Sequence, residues 1–407
     1  MKISWKTFAA LLLLAILLIA AIMAWWRHTR VAPPIRIGVL HSLSGTMAVS
    51  EKPLVDAVRL AVEEINAQGG LLGRPLELVV ADGKSDPDVS AAEAERLIEK
   101  EQVSALFGCW TSACRKAVKP VVEKHRLLLF YPVQYEGMEQ SPNILYTGAA
   151  PNQQIIPGTR WAIQQFGQRA YLVGSDYVFP RTANLIIRDL VNIADGAILA
   201  EHYLPLGSVD MDAIVEDIRR KEPDVVFNTL NGDSNAHFFA ALKKAGLSNL
   251  PLMSFSVAEN EMKAWGGTGL TRHYAVWSYF QSLPGEENRR FIAAYQARFG
   301  VDRATSDPVE AAYVGVHLWA QAVRDVGASE PGRVNPALLR QSVRSPSGIA
   351  AVDATTRHLW KMVRVGKVRP DGQFEQVFAS SAPLRPTPWP GYRTRESWQI
   401  LMEGGQP

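Results

Sequence analysis

At 407 residues with 47% hydrophobic content, the chain is long enough to bury two cores, because single cores stop growing near roughly 250 to 300 residues. Its formal charge of +3 is local, since Lys2, Lys6, Arg27 and Arg30 precede the globular part, leaving 39 basic residues against 40 acidic ones in the rest. A near-neutral body without a basic stripe excludes a nucleic-acid partner.

The first element is an uncharged, Ala- and Leu-rich run from Phe8 to Trp26. As a helix at 1.5 Å per residue it reaches about 28 Å, close to bilayer thickness. Met23-Ala24-Trp25-Trp26-Arg27 is a poor cleavage site and offers no cysteine to lipidate, so residues 1–30 read as an uncleaved anchor with Trp25 and Trp26 at the interface.

From Ile35 the apolar pattern alternates between short extended runs and helical stripes. Strand Ile35 to Leu40 leads through the polar loop His41-Ser42-Leu43-Ser44-Gly45 into a helix whose apolar stripe is Leu54, Val58, Ala61 and Ile65, stopped at Gly69-Gly70. Strands at Leu76 to Val80, Val103 to Phe107 and Leu127 to Phe130 then alternate with helices at Val89 to Lys100 and Ser112 to Lys124. Alternation of this kind builds a parallel sheet covered by helices. The rhythm restarts after Pro151: helices at Ile156 to Phe166, Arg181 to Ile193, Met211 to Lys221 and Ala236 to Ala245 are interleaved with strands at Ala170 to Val173, Ala197 to Tyr203, Val225 to Asn228 and Leu252 to Phe255. Strand Tyr274 to Trp277 and helices Glu287 to Phe299 and Pro308 to Val326 read as a return to the first unit. Beyond Ala350 come extended pieces, Leu359 to Val365 and Phe374 to Phe378, joined at Asp371-Gly372, and then a proline-rich tail read as a wrapping segment.

Three strand ends carry aromatic and neutral polar side chains: Gly108-Cys109-Trp110-Thr111-Ser112-Ala113-Cys114-Arg115-Lys116, Tyr131-Pro132-Val133-Gln134-Tyr135-Glu136-Gly137 and Gly174-Ser175-Asp176-Tyr177-Val178-Phe179-Pro180-Arg181. Carboxyl ends of strands are where open α/β sheets bind ligands. With Pro151-Asn152-Gln153-Gln154 and Asn228-Thr229-Leu230-Asn231-Gly232-Asp233-Ser234-Asn235, these segments closely resemble the urea and short-chain amide binding proteins, over about Ile35 to Pro386. That family is a branch of the type I periplasmic substrate-binding proteins, which serve ABC transporters or amide-sensing regulators. The resemblance implies an α/β fold of two doubly wound parallel-sheet lobes joined by a three-segment hinge. Lobe 1 is expected from residues 35–147 and 278–350, lobe 2 from 148–277 and 351–385, with 386–407 as a tail. It also implies a periplasmic location, a small neutral ligand, a permease or membrane sensor as partner, and hinge closure as the signal.

An amide is planar and uncharged, with a carbonyl acceptor, N–H donors and a π face, so its pocket must offer donors, acceptors and flat walls. Trp110 and Tyr131 are candidate walls, with packed core aromatics as the alternative. Thr111 and Ser112 open a helix, where hydroxyls cap and free N–H groups suit a carbonyl oxygen. The resemblance places Gln134 in the pocket and makes Tyr177 the contact from the second lobe. Asp233 is either a ligand acceptor or a turn former, and Glu259 either a ligand group or an acid at a helix start.

Cys109 and Cys114 read chiefly as two small buried thiols, since a disulfide over so short a span needs a tight geometric fit. A Cys-x4-Cys pair without matching histidines is not a zinc pattern. No P-loop lysine pattern, Gly-x-Ser-x-Gly elbow or His-Glu-x-x-His motif occurs, so no catalytic group, metal or cofactor is expected. Two rivals remain: a branched-chain amino-acid binder of the same fold, with the helix-start hydroxyls on the carboxylate and Asp233 or Glu259 on the ammonium, and an amidase-like hydrolase, which lacks an activated nucleophile.

Overall fold

The structure is a computed structural model that describes Trp5, residues 12–16, 18–19, 33–265 and 269–402. The expected anchor lies largely outside these residues, and none of the described helices is long and apolar enough to cross a membrane.

The first half of the chain builds one sheet. Strands β1 (Ile35–His41), β2 (Leu76–Asp82), β3 (Leu106–Gly108), β4 (Leu129–Tyr131) and β5 (Ile144–Tyr146) run parallel. They are linked by helices α1 (Ala48–Ala67), α2 (Pro87–Glu99) and α3 (Ser112–His125). Local chemistry sets these helix ends. Asp86 caps α2 by accepting from the N–H groups of Asp88 and Val89, and Thr111 caps α3 through its hydroxyl. The α1 stripe faces inward as its spacing predicts, and Gly69 and Gly70 end the segment at positive φ.

The second half repeats the plan. Helices α4 (Ile155–Phe166), α5 (Val178–Ile193), α6 (Asp212–Lys221), α7 (Ser234–Lys244) and α8 (Glu259–Trp265) surround parallel strands β6 (Arg169–Ser175), β7 (Ala197–Leu204), β8 (Val225–Thr229), β9 (Leu252–Ser254) and β10 (His273–Trp277). Along β6, Ala170 and Leu172 enter one apolar cluster while Tyr171 and Val173 enter another, so helices cover both faces of this sheet.

Strand β10 pairs with β9, which keeps it in the second sheet; the chain returns to the first lobe only after Trp277. There α9 (Glu286–Phe299), α10 (Asp307–Val326) and α11 (Pro331–Leu338) pack, with Trp319 of α10 edge-on to Phe107. Strands β11 (Ser342–Ser345), β12 (Gly348–Asp353) and β13 (His358–Leu359) then extend the first sheet, giving the order β11-β12-β13-β5-β4-β3-β1-β2. The expected crossing at residue 351 is therefore displaced, because the first sheet continues through Leu359. Strands β14 (Arg364–Val368) and β15 (Phe374–Ala379) pair antiparallel at the edge of the second sheet, whose order is β15-β14-β10-β9-β8-β6-β7. Three chain segments thus pass between two lobes built on mostly parallel sheets.

The tail is more than a wrapping. Helix α12 (Arg395–Met402) drives Trp398 fully into the second lobe, with its indole N–H donating to the Pro390 carbonyl at 2.9 Å and Arg393 paired to Asp189 at 2.6 Å. Trp398→Ala should cost about 3 to 5 kcal/mol, the usual range for emptying a buried indole site. A lower guanidinium chloride midpoint and faster amide exchange over residues 395–402 are the expected readings; an unchanged midpoint would show the helix to be peripheral.

Candidate functional site

The site is built on the first lobe around a short covalent loop. Cys109 and Cys114 form a disulfide, which corrects the expectation of two free thiols. Cys109 follows the end of β3 with φ of +64°, a left-handed turn that brings Cys114, in the first turn of α3, within reach at a Cα separation of 5.6 Å. The loop so closed contains Trp110, Thr111 and Ser112. Closing a loop of about six residues removes chain entropy from the unfolded state worth about 2 kcal/mol. Cys109→Ala/Cys114→Ala should lose that amount in guanidinium chloride unfolding and raise amide exchange at residues 110–112, whereas wild-type exchange at those amides would show that the cross-link restrains nothing.

Trp110, only 3% exposed, donates its indole N–H to Asn231 Oδ1 at 3.2 Å, from the first lobe to the second. Tyr131 is fully buried and donates its hydroxyl to the Trp110 carbonyl at 2.5 Å, so the two aromatic walls are fixed to each other. Thr111 spends its hydroxyl on the helix cap, accepting from Cys114 N at 3.1 Å. Ser112 is buried, with its hydroxyl donating to Glu136 Oε2 at 2.5 Å and accepting from Arg115 at 2.9 Å.

Gln134 forms a second bridge between lobes, its Nε2 donating to the Phe255 carbonyl at 2.7 Å and to Ser256 Oγ at 3.0 Å. Its Oε1 has no partner among the described residues. Tyr177, the N-terminal boundary residue of α5, is half-buried on the second lobe. Its hydroxyl is held protonated chiefly by burial and further by the nearby Tyr131, Glu136 and Glu51, with Arg115 opposing. Those neighbours all belong to the first lobe, across from the second-lobe helix that Tyr177 begins.

Two expected residues stand elsewhere. Asp233 meets the first lobe through its backbone, its N–H donating to Thr46 Oγ1 at 3.0 Å and to the Thr46 carbonyl at 3.3 Å; Asn231, two residues earlier, receives Trp110. Gly232 between them has φ of +61°, and a Cβ there would lie 2.8 Å from the Thr46 carbonyl oxygen, so this contact between lobes requires glycine. Glu259 contacts the connecting segment, its Oε1 accepting from Gln281 N at 2.7 Å. Asp307 holds the same segment by accepting from Ser278 N at 2.9 Å and Tyr279 N at 3.0 Å.

Burial pushes the Glu259 carboxyl up to about 8, and the charges of Glu261 and Asp307 add to the shift. An acid raised in the folded state binds its proton there while the unfolded chain releases it, so its contribution is full below the ordinary carboxylate range and is lost as pH rises toward 8. Glu259→Gln should flatten the decline of melting temperature between about pH 5 and 8; an unaltered slope would assign that decline to another group.

Sequence reasoning missed the charged floor. Arg115 is fully buried, with Nε on Glu139 at 2.8 Å and one terminal nitrogen on Glu136 at 3.0 Å, while its guanidinium lies over the rings of Tyr131 and Tyr135 at 4.9 and 4.6 Å. Beside the floor, Glu51 Oε2 joins His41 Nδ1 at 2.9 Å and accepts from Ser42 N at 2.9 Å. Arg115 and Glu136 stand inside the two motifs, and their co-occurrence beside apolar strand ends was the available signal.

Residues 35–395 match the model of the family described as periplasmic binding protein domain. The chain belongs to that family, and it is an extracytoplasmic solute-binding protein. A disulfide suits such an oxidising compartment. The Leu/Ile/Val-binding protein homolog 6 of Brucella melitensis is 25% identical over 377 residues, covering 88% of this chain and 92% of that one. An R. palustris solute binding protein solved with 4-hydroxybenzoate aligns with a TM-score of 0.79 at 24% identity, covering 87% of this chain and 98% of its own. The branched-chain amino acid transporter substrate binding protein of Streptococcus pneumoniae, solved with isoleucine, aligns at 0.76 and 20% identity, covering 87% of this chain and all (100%) of its own.

Proposed function

We propose that the protein captures urea or a short-chain aliphatic amide between its lobes and presents the closed form to an ABC transporter permease or a membrane sensor, tethered by its N-terminal segment. The supporting observation is the pair of side-chain bridges between the lobes, from Trp110 to Asn231 and from Gln134 to Phe255 and Ser256, with Tyr131 bonded to Trp110 and Tyr177 on the second lobe. In this reading the aromatic rings pack on the ligand plane, the Gln134 carbonyl oxygen accepts a ligand N–H, and the α3 N-terminus with Thr111 and Ser112 takes the ligand oxygen. Asp233 and Asn231 latch the lobes, and Glu259 steadies the hinge.

A branched-chain amino acid is the second reading, favoured by the name of the Brucella relative. Size separates the two. A ligand of four heavy atoms gains roughly 6 kcal/mol at best, which corresponds to a dissociation constant of some tens of micromolar. Calorimetric titration of a fragment starting near Ala32 with urea, acetamide, propionamide, leucine and 4-hydroxybenzoate should give such a constant with urea or an amide only. Leucine or 4-hydroxybenzoate binding more tightly than every amide would overturn the proposal. Tyr177→Ala should weaken amide binding at least about tenfold, a loss of about 1.4 kcal/mol, in a protein that still folds; undiminished binding would remove Tyr177 from the site.

A further inference from the structure

The buried charges on the floor of the first lobe carry an inference about selectivity, which rests on the amide reading above. Ligands of the amide class have carboxylate isosteres of nearly the same shape: acetate for acetamide, propionate for propionamide. Shape cannot separate them, so charge must.

A guanidinium, a hydroxyl and the free N–H groups of a helix start are together the components of a carboxylate-binding site. The structure has all three, in Arg115, Ser112 and the first turn of α3, yet a carboxylate of the chain itself already occupies the first two. Glu136 Oε1 takes the Arg115 terminal nitrogen at 3.0 Å and Glu136 Oε2 takes the Ser112 hydroxyl at 2.5 Å, both partners being buried. Glu139 takes the Arg115 Nε at 2.8 Å and is itself held by Lys116 at 3.3 Å and by the Tyr146 hydroxyl at 3.0 Å. The remaining terminal nitrogen of Arg115 donates to Ser112 at 2.9 Å. All three guanidinium nitrogens are thereby engaged by the chain.

We propose that Glu136 is the residue that sets selectivity, an internal carboxylate that fills the anion-binding position formed by Arg115 and Ser112 and so makes the cleft admit neutral amides while rejecting carboxylates. An entering acetate would meet Glu136 and Glu51 in a region of low dielectric with the guanidinium already committed, whereas an amide presents N–H groups to the same field. Glu136 acts by occupying and repelling, and need not touch the ligand.

The test compares acetamide with acetate, and propionamide with propionate, by calorimetry on wild type and Glu136→Gln, with thermal melts to verify folding. Wild type should prefer each amide by at least about 100-fold, and Glu136→Gln should narrow that ratio at least about tenfold by gaining affinity for the carboxylate. Wild type that binds acetate as tightly as acetamide overturns the selectivity role while leaving the amide reading intact, and this arm needs no variant to fold. A folded Glu136→Gln with an unchanged ratio overturns it as well. Wild type that takes none of the amides but binds leucine or 4-hydroxybenzoate removes both the amide reading and the exclusion of carboxylates. Where wild type takes neither class, acquired acetate binding in the variant upholds the role of Glu136, and its absence overturns it.

Discussion

A buried guanidinium must be paired, and satisfying Arg115 organises the whole first-lobe side of the cleft. Removing one partner of such a buried pair generally costs about 3 to 5 kcal/mol, because an uncompensated charge is left behind. Arg115 draws its partners from separate stretches of chain: Ser112 of its own helix and Glu136 and Glu139 of the loop after β4, with Tyr146 of β5 behind Glu139. Its stacking on Tyr131 carries the constraint to the Tyr131 hydroxyl and from there to the Trp110 carbonyl. The disulfide fixes the same loop from the other side. The aromatic walls are consequently held before any ligand arrives, which lowers the ordering cost of binding.

The second lobe approaches this prepared surface with few groups of its own. Asn231 and the Asp233 N–H come from the segment after β8, Phe255 and Ser256 from the segment after β9, and Tyr177 from the start of α5. Each of these segments follows the carboxyl end of a parallel strand, so the doubly wound architecture itself brings them to one edge. The contacts are polar and individually modest, about 1 kcal/mol each for neutral hydrogen bonds. A surface of this kind can open again, as a core of interlocked apolar side chains would not.

Most of the alternating framework was legible in the sequence, because buried parallel strands are short apolar runs and their helices carry clear stripes such as Leu54, Val58, Ala61 and Ile65. What escaped it was long-range. The strand at 348–353 pairs only with its chain neighbours, and it joins the first sheet because His358 of β13 pairs with Tyr146, some 200 residues away; the burial of Trp398 likewise depends on the second lobe's surface. Among the candidate site residues, Gln134 and Tyr177 rested on the family resemblance, while Trp110, Ser112 and Tyr131 stood out by residue type at strand ends. Arg115, Glu136 and Glu139 did not, since charges in sequence read as surface until their mutual pairing is seen. Asn231 and Asp233 occupy one polar turn, and sequence alone does not show that Asn231 reaches across by its side chain and Asp233 by its backbone N–H.

Ligand size and cross-lobe contacts constrain each other. Moving a two-state equilibrium from 1:99 to 99:1 needs about 5.5 kcal/mol of differential affinity. A four-heavy-atom ligand supplies roughly 6 kcal/mol in total, so nearly all of its binding energy would be consumed if closure were strongly disfavoured without it. For a ligand of the proposed size, the hydrogen bonds from Trp110, Gln134 and the Asp233 backbone across the cleft would have to bring the closed form within a few kcal/mol of the open one. For the same reason they cannot be much stronger. A closed form already favoured without ligand would carry no signal, and the partner reading the shape would be engaged by an empty protein.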